Sequence, residues 1–122
     1  MLKLVILIKR REGMSREAFI DHYEKRHAPL VRSLLPEIVK YRRNYVRDDT
    51  LITMASSNPV AQVGLPFDVV TEAFYKDRAS YEAMLARMAN PVTRAQIAED
   101  EERFADRSRT TLFLVDEHSD LT

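Results

Sequence analysis

Three observations on this chain of 122 residues predict an α+β fold. Apolar or alternating segments at 2–9, 38–47, 67–75 and 110–116 read as strands. Helical spacing fills 15–34 and then 78–88 and 90–105, between the first and second strands and between the third and fourth. The resulting order, βαβ then βα, one extra helix and β, fits a four-stranded antiparallel, ferredoxin-like sheet with helices on one face. A chain of this length makes one domain, 1–122, with a single core.

The first segment is leucine-rich and β-branched throughout, as a central strand is. Gly13 and Met14 turn the chain, and Ser15 is placed to cap the next helix; Ala18 stands where a capping box would need Glu or Gln. Phe19, Ile20, Tyr23, His27, Leu30, Val31 and Leu34 form the inward stripe of that helix. Pro29 lacks a backbone donor, so a break is expected near Ala28. In the second strand Val39, Tyr41, Arg43 and Tyr45 share one side, and Lys40, Arg42 and Asn44 the other. Residues 48–66 read as a long loop, and Leu51, Ile52, Met54, Val60, Val63 and Leu65 imply that it packs on something. The third strand alternates Asp68, Val70, Glu72 and Phe74 against Val69, Thr71, Ala73 and Tyr75. Asn90 and Pro91 suit a helix cap and first turn, and 117–122 reads as a frayed tail.

Composition removes whole classes of function. Nineteen basic and nineteen acidic residues cancel, so no basic field draws nucleic acid or anionic lipid. With no cysteine, disulfides, thiolate nucleophiles and cysteine metal sites are all absent. The longest apolar run, 4–8, is too short to span a bilayer, and Lys9-Arg10-Arg11 follows it where a signal peptide would have a cleavage site. The expectation is a soluble, cytoplasmic protein with no nucleic-acid or membrane partner. Two glycines cannot make a GxGxxG turn or a P-loop, and neither GxSxG nor HExxH occurs. His22 and His27, five positions apart, fall on different faces of an α-helix, which speaks against a paired-histidine metal site. No metal and no cofactor is expected; haem could use one histidine, but nothing else supports it.

The most informative stretch is Phe19…Tyr23…His27-Ala28-Pro29-Leu30. Four-residue steps carry an aromatic ring, a phenol and an imidazole on one apolar helix face, where buried polar groups need partners. Together with Leu4-Val5-Ile6-Leu7-Ile8-Lys9-Arg10, Gly13-Met14-Ser15, Tyr41, Phe67-Asp68, Glu72, Phe74 and Asp100…Phe104, it resembles the EthD-like family over about 2–117. That resemblance implies a dimeric α/β barrel, in which two ferredoxin-like protomers join their sheets face to face. Its superfamily neighbours include muconolactone isomerases, polyketide cyclases, cofactor-independent monooxygenases and haem-degrading enzymes. A homodimer with a small hydrophobic or aromatic ligand is the corresponding expectation.

Each candidate residue has a chemical and a structural reading. His27 is either a general acid or base working next to a carbonyl, or a cap on the broken helix end. Tyr23 either orients His27 and the substrate or is core with its hydroxyl at the edge. Asp68 and Glu72 share a strand face and either set the charge of the site or pair with Arg42, Arg43 or Arg47. Phe19, Tyr41, Tyr45 and Phe74 are the candidate substrate-lining residues, with Tyr41 and Tyr45 alternatively a cross-strand aromatic pair. Asp100, Glu101, Glu102 and Arg103 are expected on a solvated helix face, with Ile97 and Phe104 inward. The leading reading is a cofactor-free isomerase, cyclase or dehydratase acting on a small cyclic or aromatic oxygenated compound. A non-catalytic dimer that binds a hydrophobic ligand or assists an oxygenase is the second, and a cofactor-independent monooxygenase the third.

Overall fold

The computed structural model describes residues 1–47, 52–53, 56–59 and 66–120. In chain order these form β1 (Leu2–Arg10), α1 (Arg16–His22), a π-helical turn (Tyr23–His27), α2 (Ala28–Leu34) and β2 (Ile38–Tyr45). A short pair, β3 (Ile52–Thr53) and β4 (Ser56–Pro59), is followed by β5 (Val69–Tyr75), α3 (Arg78–Met88), α4 (Pro91–Phe104) and β6 (Ala105–Val115). The main sheet runs β2-β5-β1-β6, with every neighbouring pair antiparallel. This is the expected ferredoxin-like arrangement, with the N-terminal strand central. Of the apolar loop residues named above, Leu51, Met54, Val60, Val63 and Leu65 lie outside the described residues. No helix among the described residues is long and apolar enough to cross a membrane.

Strand alternation decides which side chains meet the helices. On β5, Val69, Thr71, Ala73 and Tyr75 are each at most 1 % exposed. One core group joins Leu4, Ala73 and Tyr75 of the sheet to Val31 and Leu35, Met84 of α3 and Ile97 of α4. A second joins Ile8, Val69 and Ala105 to Phe19, Tyr23 and Ala28, closed by Phe104. Ile6 and Tyr41 touch both groups, so they stand where the two halves of the core meet. The other sheet face carries Val5, Leu7, Val70, Glu72 and Phe74 by the same alternation, with no described helix over it.

Helix ends follow the expected chemistry. Ser15 Oγ accepts from the Ala18 amide at 3.1 Å, and Asn90 Oδ1 accepts from Val92 at 2.9 Å ahead of Pro91. Pro29 acts differently from the expected break. Its ring would crowd the carbonyl four residues back in a regular helix. The chain instead widens by one residue just before it, the Ala28 amide bonding Tyr23 O, and then continues as α2. Val39, expected beside Tyr41, is 58 % exposed because the β2–β5 register shifts between Ile38 and Lys40. β6 leaves α4 directly at Ala105 instead of starting near 110, since Arg10 and Lys9 pair with Ala105 and Asp106 beyond a shift in the β1–β6 register. At its far end Glu117 is tied to Lys3 Nζ at 2.7 Å.

Phe104 is fully buried, with ring centroids 5.5 Å from Phe19, 5.3 Å from Tyr23, 4.9 Å from His22 and 4.8 Å from His27. Truncating it removes the wall that all four rings share. Phe104→Ala should lower the unfolding free energy by about 3–5 kcal/mol in a urea titration. A loss below about 1 kcal/mol would contradict this account of the core.

Candidate functional site

The π-helical turn has a consequence for the histidines. A turn closed over five residues brings positions 22 and 27 onto one face, where a regular helix would separate them. Both imidazoles reach one carboxylate on α4: His27 Nδ1 lies 2.8 Å from Asp100 Oδ2, and His22 Nε2 lies 3.1 Å from Asp100 Oδ1. Asp100 is 5 % exposed and His27 4 %. Burial alone would raise the Asp100 pKa, but the hydrogen bond and charge of His27 and the neighbouring His22 outweigh it and hold the carboxyl below its ordinary 3.8. An ionised carboxylate only accepts, so Nδ1 of His27 carries the proton and Nε2 keeps the lone pair. Burial pulls the His27 pKa below 6.5, and the opposing pull of Asp100 does not restore it. The imidazole is therefore neutral at neutral pH, oriented by a carboxylate through one nitrogen and basic at the other.

His27 lines a cavity of about 320 Å³ between the helix-side face of the sheet and the helices. Most of its wall is aliphatic, from Leu4, Ile6 and Ile8 of β1 to Met84 and Met88 of α3. The other polar groups in its wall are the phenols Tyr23, Tyr41, Tyr75 and Tyr81, the hydroxyl of Thr110 and the carboxyl of Glu101. Tyr23 Oη is 2.8 Å from Thr71 Oγ1 and 2.9 Å from Tyr41 Oη, making a chain of three hydroxyls across the sheet. Burial pushes Tyr23 up to about 12 and Tyr41 well above 10.0, so both keep their protons and act as donors. Of the three, Tyr23 and Tyr41 line the cavity and Thr71 does not. Behind it Arg43 donates to Glu24 at 2.6 Å and to Tyr41 O at 2.9 Å, and its guanidinium lies 5.1 Å from the Tyr41 ring centroid.

Asp100, expected in solvent, is buried, and Glu101, expected there too, lines the cavity. Ile97 and Phe104 stand at i and i+7, and positions 100 and 101 fall between them on the same helical face. That geometry is available in the sequence; the acidic run around it conceals it. Burial raises the Glu101 pKa above 4.5, Arg107 opposing and Asp100 assisting.

The structure gathers some of the sequence-derived candidates and disperses others. His27, Tyr23 and Tyr41 line one cavity. Phe19 is fully buried behind them, edge-on to Tyr23 at 6.4 Å. Tyr45 packs against Phe19 at 6.3 Å and donates to Glu24 Oε2 at 2.5 Å, outside the cavity wall. Asp68, Glu72 and Phe74 fall on the other side of the sheet by alternation. Asp68 accepts from the Arg10 amide at 2.8 Å and pairs with Lys9 at 3.3 Å, which ties the end of β1. Glu72 pairs with Lys3 and accepts from Asn44 at 3.1 Å. Phe74 is 5 % exposed under Lys3, Lys40 and Arg42, each about 5–6 Å from its ring.

Comparison with known proteins gives a consistent family. The model of the EthD domain matches residues 11–108. A protein of Metarhizium robertsii named as a conidial pigment biosynthesis dehydratase, EthD, is 28 % identical over 116 residues, spanning 92 % of this chain and 79 % of that protein. The crystal structure of an EthD family protein from Bacillus halodurans superposes with a TM-score of 0.62 at 24 % identity, covering 97 % of this chain and 100 % of that one. A dimeric ferredoxin-like protein from Jannaschia gives a TM-score of 0.57 at 11 % identity, with 95 % and 98 % coverage.

Two measurements check this geometry. Tyr23→Phe should cost about 1–2 kcal/mol, because Thr71 Oγ1 is fully buried and loses its partner. A neutral result would mean the hydroxyl chain contributes nothing. The second is a pH effect. Well above 6.5 His27 is uncharged in both states and adds no pH dependence. As pH falls from 6.5 toward the lower folded-state value, the unfolded chain takes up a proton that the folded one refuses, so stability drops. One such proton gives a slope of about 1.4 kcal/mol per pH unit. His27→Gln should flatten that part of the pH–stability curve, and an unchanged slope would assign it elsewhere.

Proposed function

The chain belongs to the EthD domain family, and from that premise we propose that it is a cofactor-free dehydratase acting on a small cyclic hydroxy ketone. One observation carries this reading: a neutral imidazole, oriented by a buried carboxylate, lines an apolar cavity with phenol donors beside it. His27 Nε2 takes a proton from the carbon next to the ketone, and Asp100 stabilises the imidazolium that results. Tyr41, backed by Tyr23 and Thr71, donates to the ketone oxygen as negative charge develops there. The aliphatic wall excludes water and keeps the imidazole neutral until it is used. A cavity of about 320 Å³ is at the small end of ligand pockets, which suits one or two fused rings. The dehydratase name of the Metarhizium robertsii relative supports loss of water as the step.

A hydroxytetralone with its hydroxyl β to the ketone is a direct probe, because losing water makes it naphthol, which fluoresces. Wild type should convert it, and His27→Ala should lower kcat by about 10²–10⁴-fold. Conversion that survives His27→Ala would end the assignment. Tight binding of the ketone without naphthol would favour a ligand carrier instead.

The working unit in this reading is a homodimer. The sheet face without helices carries Val5, Leu7, Val70 and Phe74, while Phe113 is 42 % and Leu112 57 % exposed on edge strand β6. The dimeric ferredoxin-like protein from Jannaschia supports a second copy as the cover. Sedimentation should give a dimer at micromolar concentration, and a well-folded monomer there would contradict it.

A further inference from the structure

Removing a proton from carbon is half of a dehydration. The hydroxyl that leaves also needs a proton, since hydroxide is a poor leaving group near neutral pH. Tyr23 is committed to the hydroxyl chain, Tyr41 to the ketone oxygen, and His27 Nδ1–H to Asp100. Glu101 is different. It lines the cavity one helical turn from Ile97, another lining residue, and its carboxyl makes no hydrogen bond among the described residues. It shares the cavity wall with Tyr23 and Tyr41, the phenols of the hydroxyl chain. The wall around it is mostly apolar, an environment that favours a protonated carboxyl.

We propose that Glu101 is the general acid of this cavity, donating its proton to the hydroxyl oxygen that leaves as His27 removes the proton from carbon. This inference rests on the dehydratase reading above and extends it to the second proton. The electron pair of the broken C–H bond forms the new C=C bond. The C–O bond breaks with its pair going to oxygen, the Glu101 proton joins that oxygen, and water departs. Imidazolium and carboxylate are left, and transfer of one proton from His27 to Glu101 through solvent, once product leaves, restores both. No oxidant, reductant or metal enters the balance.

The charged and titratable groups facing Glu101 come from several elements. Asp100 shares its helix and favours the protonated form, while Arg107 on β6 opposes it. His27 and Tyr23 on the π-helical turn, Tyr41 on β2, Tyr75 on β5 and Tyr81 on α3 share the cavity wall. His27 becomes cationic in the proton transfer that Glu101 accompanies.

The test compares wild type, His27→Ala, Glu101→Gln and Glu101→Asp on two substrates. One is the β-hydroxytetralone; the other is its acetate ester, whose leaving acetate needs no proton. Glu101→Gln should lose about 10²–10⁴-fold in kcat on the hydroxy ketone yet stay within a few-fold of wild type on the acetate. His27→Ala should fail on both. The alkaline limb of the kcat–pH profile should vanish in Glu101→Gln, and Glu101→Asp should keep that limb at reduced rate. Glu101→Gln that turns over the hydroxy ketone normally while His27→Ala does not overturns the acid and leaves the dehydratase reading standing. Equal losses on both substrates make Glu101 structural and also overturn it. A wild type inert toward both ketones takes down the dehydratase reading and the acid together.

Discussion

Asp100 holds two histidines and, through them, ties the π-helical turn to α4. A buried carboxylate without partners would be destabilising by several kcal/mol. Here the π-helical turn supplies two partners at once, because it brings His22 and His27 to the same face. Phe104, one turn along α4, stacks on the His22 ring at 4.9 Å and tilts against His27 at 4.8 Å, so the polar triad is roofed by an apolar ring. The helix irregularity, the carboxylate and the roof depend on one another. Regularise the turn and Asp100 loses a partner; remove Asp100 and nothing sets the tautomer of His27.

Around that anchor the two faces of the sheet have divided their tasks. The helix-side face of β5 carries Val69, Thr71, Ala73 and Tyr75, of which Ala73 and Tyr75 line the cavity and Thr71 ends the hydroxyl chain. The other face collects the ion pairs of Asp68 and Glu72 and the cations over Phe74. A one-residue change in register would exchange these sets, placing carboxylates under the helices and apolar groups outside. The chemistry of the cavity therefore depends on strand register as much as on the identity of its residues. Arg43 adds rigidity from the rim: its bond to Glu24 pulls that carboxyl below its ordinary range and fixes the guanidinium beside Tyr41.

Much of this architecture was legible in the residues, and the parts that were not have specific physical causes. Hydrophobic period, Ser15, Asn90 and Pro91 place the elements, because each signal is local, and their succession implies the ferredoxin-like sheet. Tyr23, His27 and Tyr41, which share one cavity wall, are legible because polar groups on an apolar stripe stand out. The pairing of His22 with His27 was missed because regular α-helical geometry separates positions five apart, and a π-helical turn has no local marker beyond Pro29. Asp100 and Glu101 were lost inside the run Glu99-Asp100-Glu101-Glu102-Arg103, whose charge suggested solvent although Ile97 and Phe104 already defined the inward face. Asp68 and Glu72 were placed on a common face correctly, but which side of the sheet the helices cover is a tertiary property. Alternation gives the two sets and not their environment.

The proposed base chemistry requires a neutral His27 whose proton sits on Nδ1, held by Asp100, leaving Nε2 with its lone pair. Nitrogen NMR of the folded protein with isotopically labelled histidine reads both the charge and the tautomer directly. At neutral pH the ring should be uncharged and protonated at Nδ1, with its titration midpoint below 6.5, and Asp100→Asn should change the tautomer population. A ring protonated at Nε2, or an imidazolium at neutral pH, would contradict it.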